Sequence, residues 1–212
     1  MMKAAIFDMD GTILDSMDMW RSFAPRFCEK YGIDWNEKLQ TAVMTMSFVD
    51  AAGYFCEHFP HLGYEKDGLL ELWFSLLALD YKAIVTVKPN VAAYLEKLNR
   101  QGIRCGVATM TEHPICDDAL ELHGLRRYFE FVITYEDAGM KGKEHPDIFL
   151  EAARRLGSEP ADCVVFEDSL FAIKTARAAG FSVYGVDDNG KNDSAGIIPL
   201  CEKFIHDFSE LL

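Results

Sequence analysis

Apolar and polar positions fall in blocks along the chain. A run at residues 3–7 ends in a cluster of Asp, Gly and Thr, which predicts a buried strand feeding a polar turn. The next comparable run, 103–108, follows a helical pattern over 89–101 that Pro89 can open and Gly102 can close. The alternation then repeats. Helices are predicted from just after Thr111 to Gly124, over 146–156 and over 169–179; apolar runs lie at 131–133, 163–166 and 182–186. Strands alternating with helices imply an α/β fold with a parallel, doubly wound sheet and helices on both faces.

Residues 15–85 break this rhythm. They carry helical apolar spacing and many aromatics, among them Trp20, Phe23, Phe27, Phe48, Phe55 and Trp73, without a clear strand. The division expected is a catalytic core of 1–14 and 86–212 with a helical cap domain of 15–85. An insert at this point can fold back over the carboxyl edge of the sheet, where open α/β folds bind ligands.

Composition narrows the partners. The 212 residues suffice for one full core and a modest second lobe. A formal net charge of -13 disfavours a nucleic-acid backbone or an anionic membrane surface, either of which would be repelled. The apolar start runs straight into Asp8, too short for a signal peptide or a membrane span, so a cytoplasmic protein is expected. The six cysteines contain no C-x-x-C pair and read as buried reduced thiols.

Four polar clusters carry candidate chemistry. Asp8-Met9-Asp10-Gly11-Thr12 sets two carboxylates two residues apart where Gly11 lets the backbone turn. Two anions so close call for a divalent cation or a raised pKa on one of them. Thr109, with Met110 after it, ends the second strand and offers a hydroxyl and backbone N–H groups to a phosphate. Lys143 brings a cation to a loop before a helix, with Lys141 as competitor, and Glu167-Asp168 supply hard oxygens suited to Mg²⁺. Each cluster also has a plain reading as turn residue, helix cap or solvated lysine. Their common position, at the carboxyl ends of successive strands of one sheet, is what the plain readings leave unexplained. His58, His61, His113, His123 and His145 show no metal-ligand spacing and are assigned surface or capping roles.

In this order, the clusters resemble the four motifs of the haloacid dehalogenase superfamily, and the resemblance covers nearly the whole chain. It is nearest the β-phosphoglucomutase and phosphoglycolate phosphatase branch, as the stretches Gly142-Lys143 to Phe149 and Phe166 to Ser169 suggest. The resemblance implies a Rossmann-like core with an inserted α-helical cap. It also implies an Mg²⁺ site made by the Asp8 side chain, the Asp10 backbone carbonyl and Asp168, with Glu167 as helper. Asp8 would be the nucleophile, Asp10 the acid/base, and Thr109 and Lys143 the phosphoryl-binding groups. Gly11, Thr12, Met110 and Trp20 would line the substrate site. Three departures stand out: Met110 replaces a frequent Asn, Glu144-His145 replaces Pro-x, and Trp20 occupies the place of a mutase histidine.

The expectation is therefore a phosphatase for a small phosphorylated metabolite, such as a sugar phosphate, acting as monomer or homodimer. The alternatives are a phosphomutase, which differs only in the acceptor, and a non-catalytic interaction module that has kept the fold. Arg21 and Arg26 are weighed as contacts for a second anionic group, against solvated helix positions.

Overall fold

The computed structural model describes residues 2–43, 46–113, 115–139 and 141–212. Met1, Met44, Thr45 and Pro114, which fall within predicted spans, lie outside them, as does Met140. The strands are β1 (Ala4–Phe7), β2 (Leu14–Asp15), β3 (Thr86–Val87), β4 (Arg104–Ala108), β5 (Val132–Ile133), β6 (Cys163–Glu167), β7 (Ser182–Val186) and β8 (Lys203–Ile205). The helices are α1 (Met17–Lys30), α2 (Glu37–Val43), α3 (Phe48–His58), α4 (Lys66–Ala83), α5 (Val91–Arg100), α6 (Ile115–Leu122), α7 (Asp147–Arg155), α8 (Leu170–Ala178) and α9 (Ser194–Ile197).

Six strands form a parallel sheet in the order β5-β4-β1-β6-β7-β8. β1 is buried at every position because it is central and covered on both faces. Ala4 and Ile6 face a cluster shared with Ile148, Phe149 and Ala152 of α7 and Ala172, Ile173 and Ala176 of α8. On the opposite face Phe7 stacks on Phe166 at 4.4 Å, and Phe166 meets Tyr94 of α5. Helix α5 buries Val91, Tyr94, Leu95 and Leu98, a spacing of three, one and three that makes one continuous stripe.

The chain divides into two compact units, Met1–Met17 with Val85–Leu212, and Asp18–Ile84. The second is helical. Its aromatic core gathers Phe23, Phe27, Phe48 and Phe55 around Trp73 of α4. The Arg26 guanidinium binds Asp80 through both terminal nitrogens, and the Trp20 indole N–H donates to the Tyr81 hydroxyl at 3.1 Å.

Several local expectations are revised. Helix α5 starts at Val91 rather than Pro89, because Asn90 adopts φ 62°, a left-handed conformation that closes a turn first. Helix α6 starts at Ile115 rather than directly after Thr111, and Glu167 is the last residue of β6 rather than part of the loop after it. The sequence pattern also passed over β8, α9 and the antiparallel pair β2–β3. The cysteines are free thiols: Cys28, Cys105, Cys116 and Cys163 are buried, and Cys56 and Cys201 are half-buried. Among the described residues, no helix is long and apolar enough to cross a membrane.

Gly185 of β7 shows how tightly this edge of the sheet is packed. A Cβ there would lie 2.7 Å from Ile197, 2.9 Å from Cys201 and 2.9 Å from Phe204. Gly185→Ala should therefore lower stability by about 1–3 kcal/mol, the usual cost of overpacking. In urea denaturation the midpoint should fall with an unchanged slope; an unmoved midpoint would show that the neighbours yield freely.

Candidate active site

The strand order fixes which residues meet. β1 lies between β4 and β6, with Phe7 opposite both Val107 and Phe166. The residues at and just past the ends of these strands must then converge at one edge: Asp8 after β1, Thr109 after β4, Glu167 ending β6 and Asp168 after it. The Asp8 amide donates to the Phe166 carbonyl at 3.0 Å, so the first residue past β1 is still held by the sheet.

Asp8, Glu167 and Asp168 are buried, and each offers a carboxylate oxygen within 4.8 Å of the others. Lys143 is only 3% exposed and lies among them. Its ammonium donates to Asp8 Oδ1 and, at 2.7 Å, to Glu167 Oε2, and it lies 5.8 Å from the centre of the Phe149 ring. Lys141, the competing candidate, pairs with Asp147 at the surface instead. Burial by itself would lower the Lys143 pKa, but the charges of Asp8 and Glu167 and their hydrogen bonds outweigh it and hold it above its usual value. The side chain is therefore a fixed cation.

Both oxygens of Glu167 have protein donors, since Oε1 accepts from the Ser169 amide at 3.2 Å. Burial, then the charge of Asp8, pushes its pKa well above the usual carboxyl range, with Lys143 opposing. Asp168 is pushed up to about 7, by burial first and by Asp8 next, with Lys143 and Lys88 opposing. Thr12 donates to Asp168 Oδ1 at 3.3 Å. Gly11 has φ 81°, and a Cβ on it would stand 2.4 Å from Asp168 Oδ2, so both the turn and the close approach require glycine there.

Asp10 is held by two hydroxyls. Ser16 donates to Oδ1 at 2.6 Å and Thr111 to Oδ2 at 2.6 Å. Thr109 is buried, and its hydroxyl accepts from the Thr111 amide at 3.1 Å, which shapes the loop carrying Thr111. Met110 is 39% exposed. Trp20 belongs to the helical unit, where Tyr81 holds its indole nitrogen. Arg21 pairs with Asp18 and Arg26 with Asp80, as residues on a solvated helix do.

Sequence reasoning missed Ser16, Lys88, Asp188 and Asn192. Lys88 is buried, donates to the Asp187 carbonyl at 2.6 Å and lies 4.0 Å from Asp188 Oδ1. Burial lowers its pKa, while Asp188, Asp168, Asp15 and Asp187 oppose that shift. Asn192 ties the β6 and β7 loops together by donating to the carbonyls of Asp168 at 3.0 Å and Val186 at 2.9 Å. Asp188 follows β7, so the strand-end rule that located Asp168 would have located it too.

The donor set fits a hard dication on two grounds. Asp8 Oδ2 is buried and accepts no hydrogen bond from the protein. In addition, Asp8, Glu167, Asp168 and Asp188 are four buried carboxyl groups, and among the described residues two ammonium groups are buried, those of Lys88 and Lys143. With all six ionised, two negative charges remain uncompensated, the charge one divalent ion would offset.

The chain is similar to several known proteins. The chain is 34% identical over 189 residues to the fructose-1-phosphate phosphatase YqaB of Escherichia coli, covering 85% of this chain and 94% of the relative. It is 28% identical over 185 residues to the bifunctional riboflavin kinase/FMN phosphatase of Arabidopsis thaliana. That match covers 87% of this chain and 48% of the relative, about half its length. The structure of CbbY from Rhodobacter sphaeroides in complex with phosphate shares the fold, with a TM-score of 0.78 at 23% identity over 100% of this chain and 96% of that one. The sequence pattern of the haloacid dehalogenase-like hydrolases matches residues 2–180, and the chain belongs to that family.

Proposed function

We propose that this hydrolase is an Mg²⁺-dependent phosphatase acting on a small phosphorylated metabolite of the sugar-phosphate class, through an aspartyl-phosphate on Asp8. The observation that carries the proposal is the state of Asp8: a buried carboxylate with one oxygen bound by Lys143 and the other without a protein donor. The names of relatives that act on phosphate esters, such as fructose 1-phosphate, support the substrate class. We assign substrate selection to the helical cap, residues 15–85, with Trp20 and Met110 as candidate contacts.

An Asp8 oxygen would attack phosphorus as the bond from phosphorus to the ester oxygen breaks, and Asp10 would give that leaving oxygen its proton. Asp10 would then take a proton from water, whose oxygen attacks phosphorus, and the bond to Asp8 would break to release inorganic phosphate. Proton transfer requires Asp10 to let go of Ser16 or Thr111 in turn, so these hydroxyls position it rather than react. Lys143 would bind a phosphoryl oxygen alongside Thr109. Because both oxygens of Glu167 are engaged, we assign it the orientation of Lys143 in preference to direct metal binding. The Asp8 side chain, the Asp10 backbone carbonyl and Asp168 would hold Mg²⁺, which supplies charge compensation for the phosphoryl oxygens. Gly11 and Thr12 shape the loop that brings Asp168 close.

The first test is Asp8→Asn, assayed for phosphate released from p-nitrophenyl phosphate and from a sugar-phosphate panel with Mg²⁺ present. Turnover should fall by about 10⁴-fold or more, as on removal of other nucleophiles, with the fold retained. Full activity would end the assignment. Asp10→Asn should lose about 10²–10⁴-fold, the usual contribution of general acid–base catalysis.

A second test uses the raised pKa of Asp168, about 7 against a reference of 3.8. In EDTA the native state keeps a proton that the unfolded chain loses between these values, so this group's contribution to stability falls as pH rises across that window. Mg²⁺ must displace the proton. Its apparent affinity, read from the rise in Tm with Mg²⁺ concentration, should be about thirtyfold weaker near pH 5.5 than its plateau above pH 8. Equal affinity at both pH values would count against Asp168 as a ligand.

A further inference from the structure

A second group of metal-ligand side chains lies outside the carboxylate site, at the start of α6. His113, Cys116 and Asp117 each offer one donor atom, and the three donors lie within 4.8 Å of one another. Cys116 Sγ is 3.7 Å from His113 Nδ1, and Asp117 Oδ2 is 2.6 Å from the same nitrogen. Cys116 and Asp117 lie in the first turn of α6, and His113 stands just before that helix. The sequence reading overlooked this because it looked for paired cysteines or histidines and not for a mixed set.

The distances suit a tetrahedral ion. Zinc bonds of about 2.3 Å to sulfur and about 2.0 Å to nitrogen imply a sulfur–nitrogen separation of about 3.6 Å. The carboxylate must draw back from Nδ1 by about 0.7 Å to reach the corresponding oxygen–nitrogen separation, about 3.3 Å. Asp117 is 39% exposed along its side chain and His113 37%, which leaves a path for the ion and room for a water as fourth ligand.

A separate observation concerns the far side of the ring. His113 Nε2 faces Asp137 Oδ2 at 3.4 Å, and Asp137 is itself held by the Thr134 amide at 3.0 Å and by Arg155 at 3.1 Å. In the metal-free protein Nδ1–H donates to the Asp117 carboxylate; a bound ion takes the place of that proton while Nε2–H stays on Asp137, the arrangement found behind metal-bound histidines. The other oxygen of Asp117 faces Arg126 Nε at 3.5 Å, so Oδ2 is the one turned to the site.

We propose that His113, Cys116 and Asp117 bind a thiophilic divalent cation of the zinc type, with Asp137 orienting the His113 ring. This site differs in kind from the all-oxygen cluster at Asp8, which suits a hard ion. Burial pushes the Cys116 thiol up to about 12, so binding expels its proton and the ion takes the thiolate. His113 is two residues beyond Thr111, whose hydroxyl holds Asp10, so the ion would be anchored at the end of that loop.

Cobalt(II) separates the two sites, because only a sulfur ligand gives the near-ultraviolet thiolate-to-cobalt charge-transfer band. Titration of the reduced protein with Co²⁺, in excess Mg²⁺ to fill the oxygen cluster, should raise that band to saturation at one equivalent, and Zn²⁺ should abolish it. Cys116→Ser should remove the band. Should Cys116→Ser fail to fold, His113→Gln, at an exposed side chain, should weaken Co²⁺ binding with the circular dichroism unchanged. Asp137→Asn should weaken it by about 10–100-fold, the usual effect of losing the group behind a metal-bound imidazole. Absence of the band in the wild type, or a band undiminished in Cys116→Ser or in a folded His113→Gln, would overturn the proposal.

Discussion

Three carboxyl groups with oxygens within 4.8 Å of one another cannot leave water ionised without cations, since each lost hydration shell costs several kcal/mol. Lys143 is the first answer, bonded to Asp8 and Glu167 together. Lys88 is the second, reaching the Asp187 carbonyl and facing Asp188. The surrounding contacts serve that cluster. Thr12 and Asn192 hold Asp168 and its loop, and Ser16 and Thr111 hold Asp10.

The parallel sheet makes this crowding unavoidable. Parallel strands end at one edge, and β1 is flanked by β4 and β6, so the residues just past them are forced together whatever their charge. The apolar faces below them are what hold the edge in place. Phe7 stacked on Phe166, and Ile6 against the α7 and α8 cluster, anchor two of the acid-bearing strands through contacts that carry no polar group. Packing is thus carried by the bodies of the strands and chemistry by the residues at and just past their ends.

Much of this was legible because it is local. Buried parallel strands read as plain apolar runs, and the stripe of Val91, Tyr94, Leu95 and Leu98 reads as a helix face. What failed to show depends on tertiary position. Asn90 in a left-handed conformation delays α5 by two residues, an effect no periodicity records. β8 is three residues long and begins with an exposed lysine, so it looks like a loop until β7 is there to pair with it. Lys88 reads as an ordinary lysine before a proline; only the Asp187 carbonyl, 99 residues away, and the Asp188 carboxylate beside it make it a buried counterion. Glu167 reads as a loop acid, whereas it ends β6 with both oxygens engaged by Lys143 and the Ser169 amide, contacts that exist only in three dimensions.

The short ladder between β2 and β3 has a wider meaning. Leu14 pairs with Val87 and Asp15 with Thr86, so the chain leaves for the helical insert and returns from it through adjacent rungs. Seen from the sheet, 70-odd residues amount to a closed loop whose ends are already pinned, and lengthening or replacing such a loop adds little closure entropy. The insert can therefore be exchanged or extended while the carboxylate-bearing edge of the sheet keeps its register.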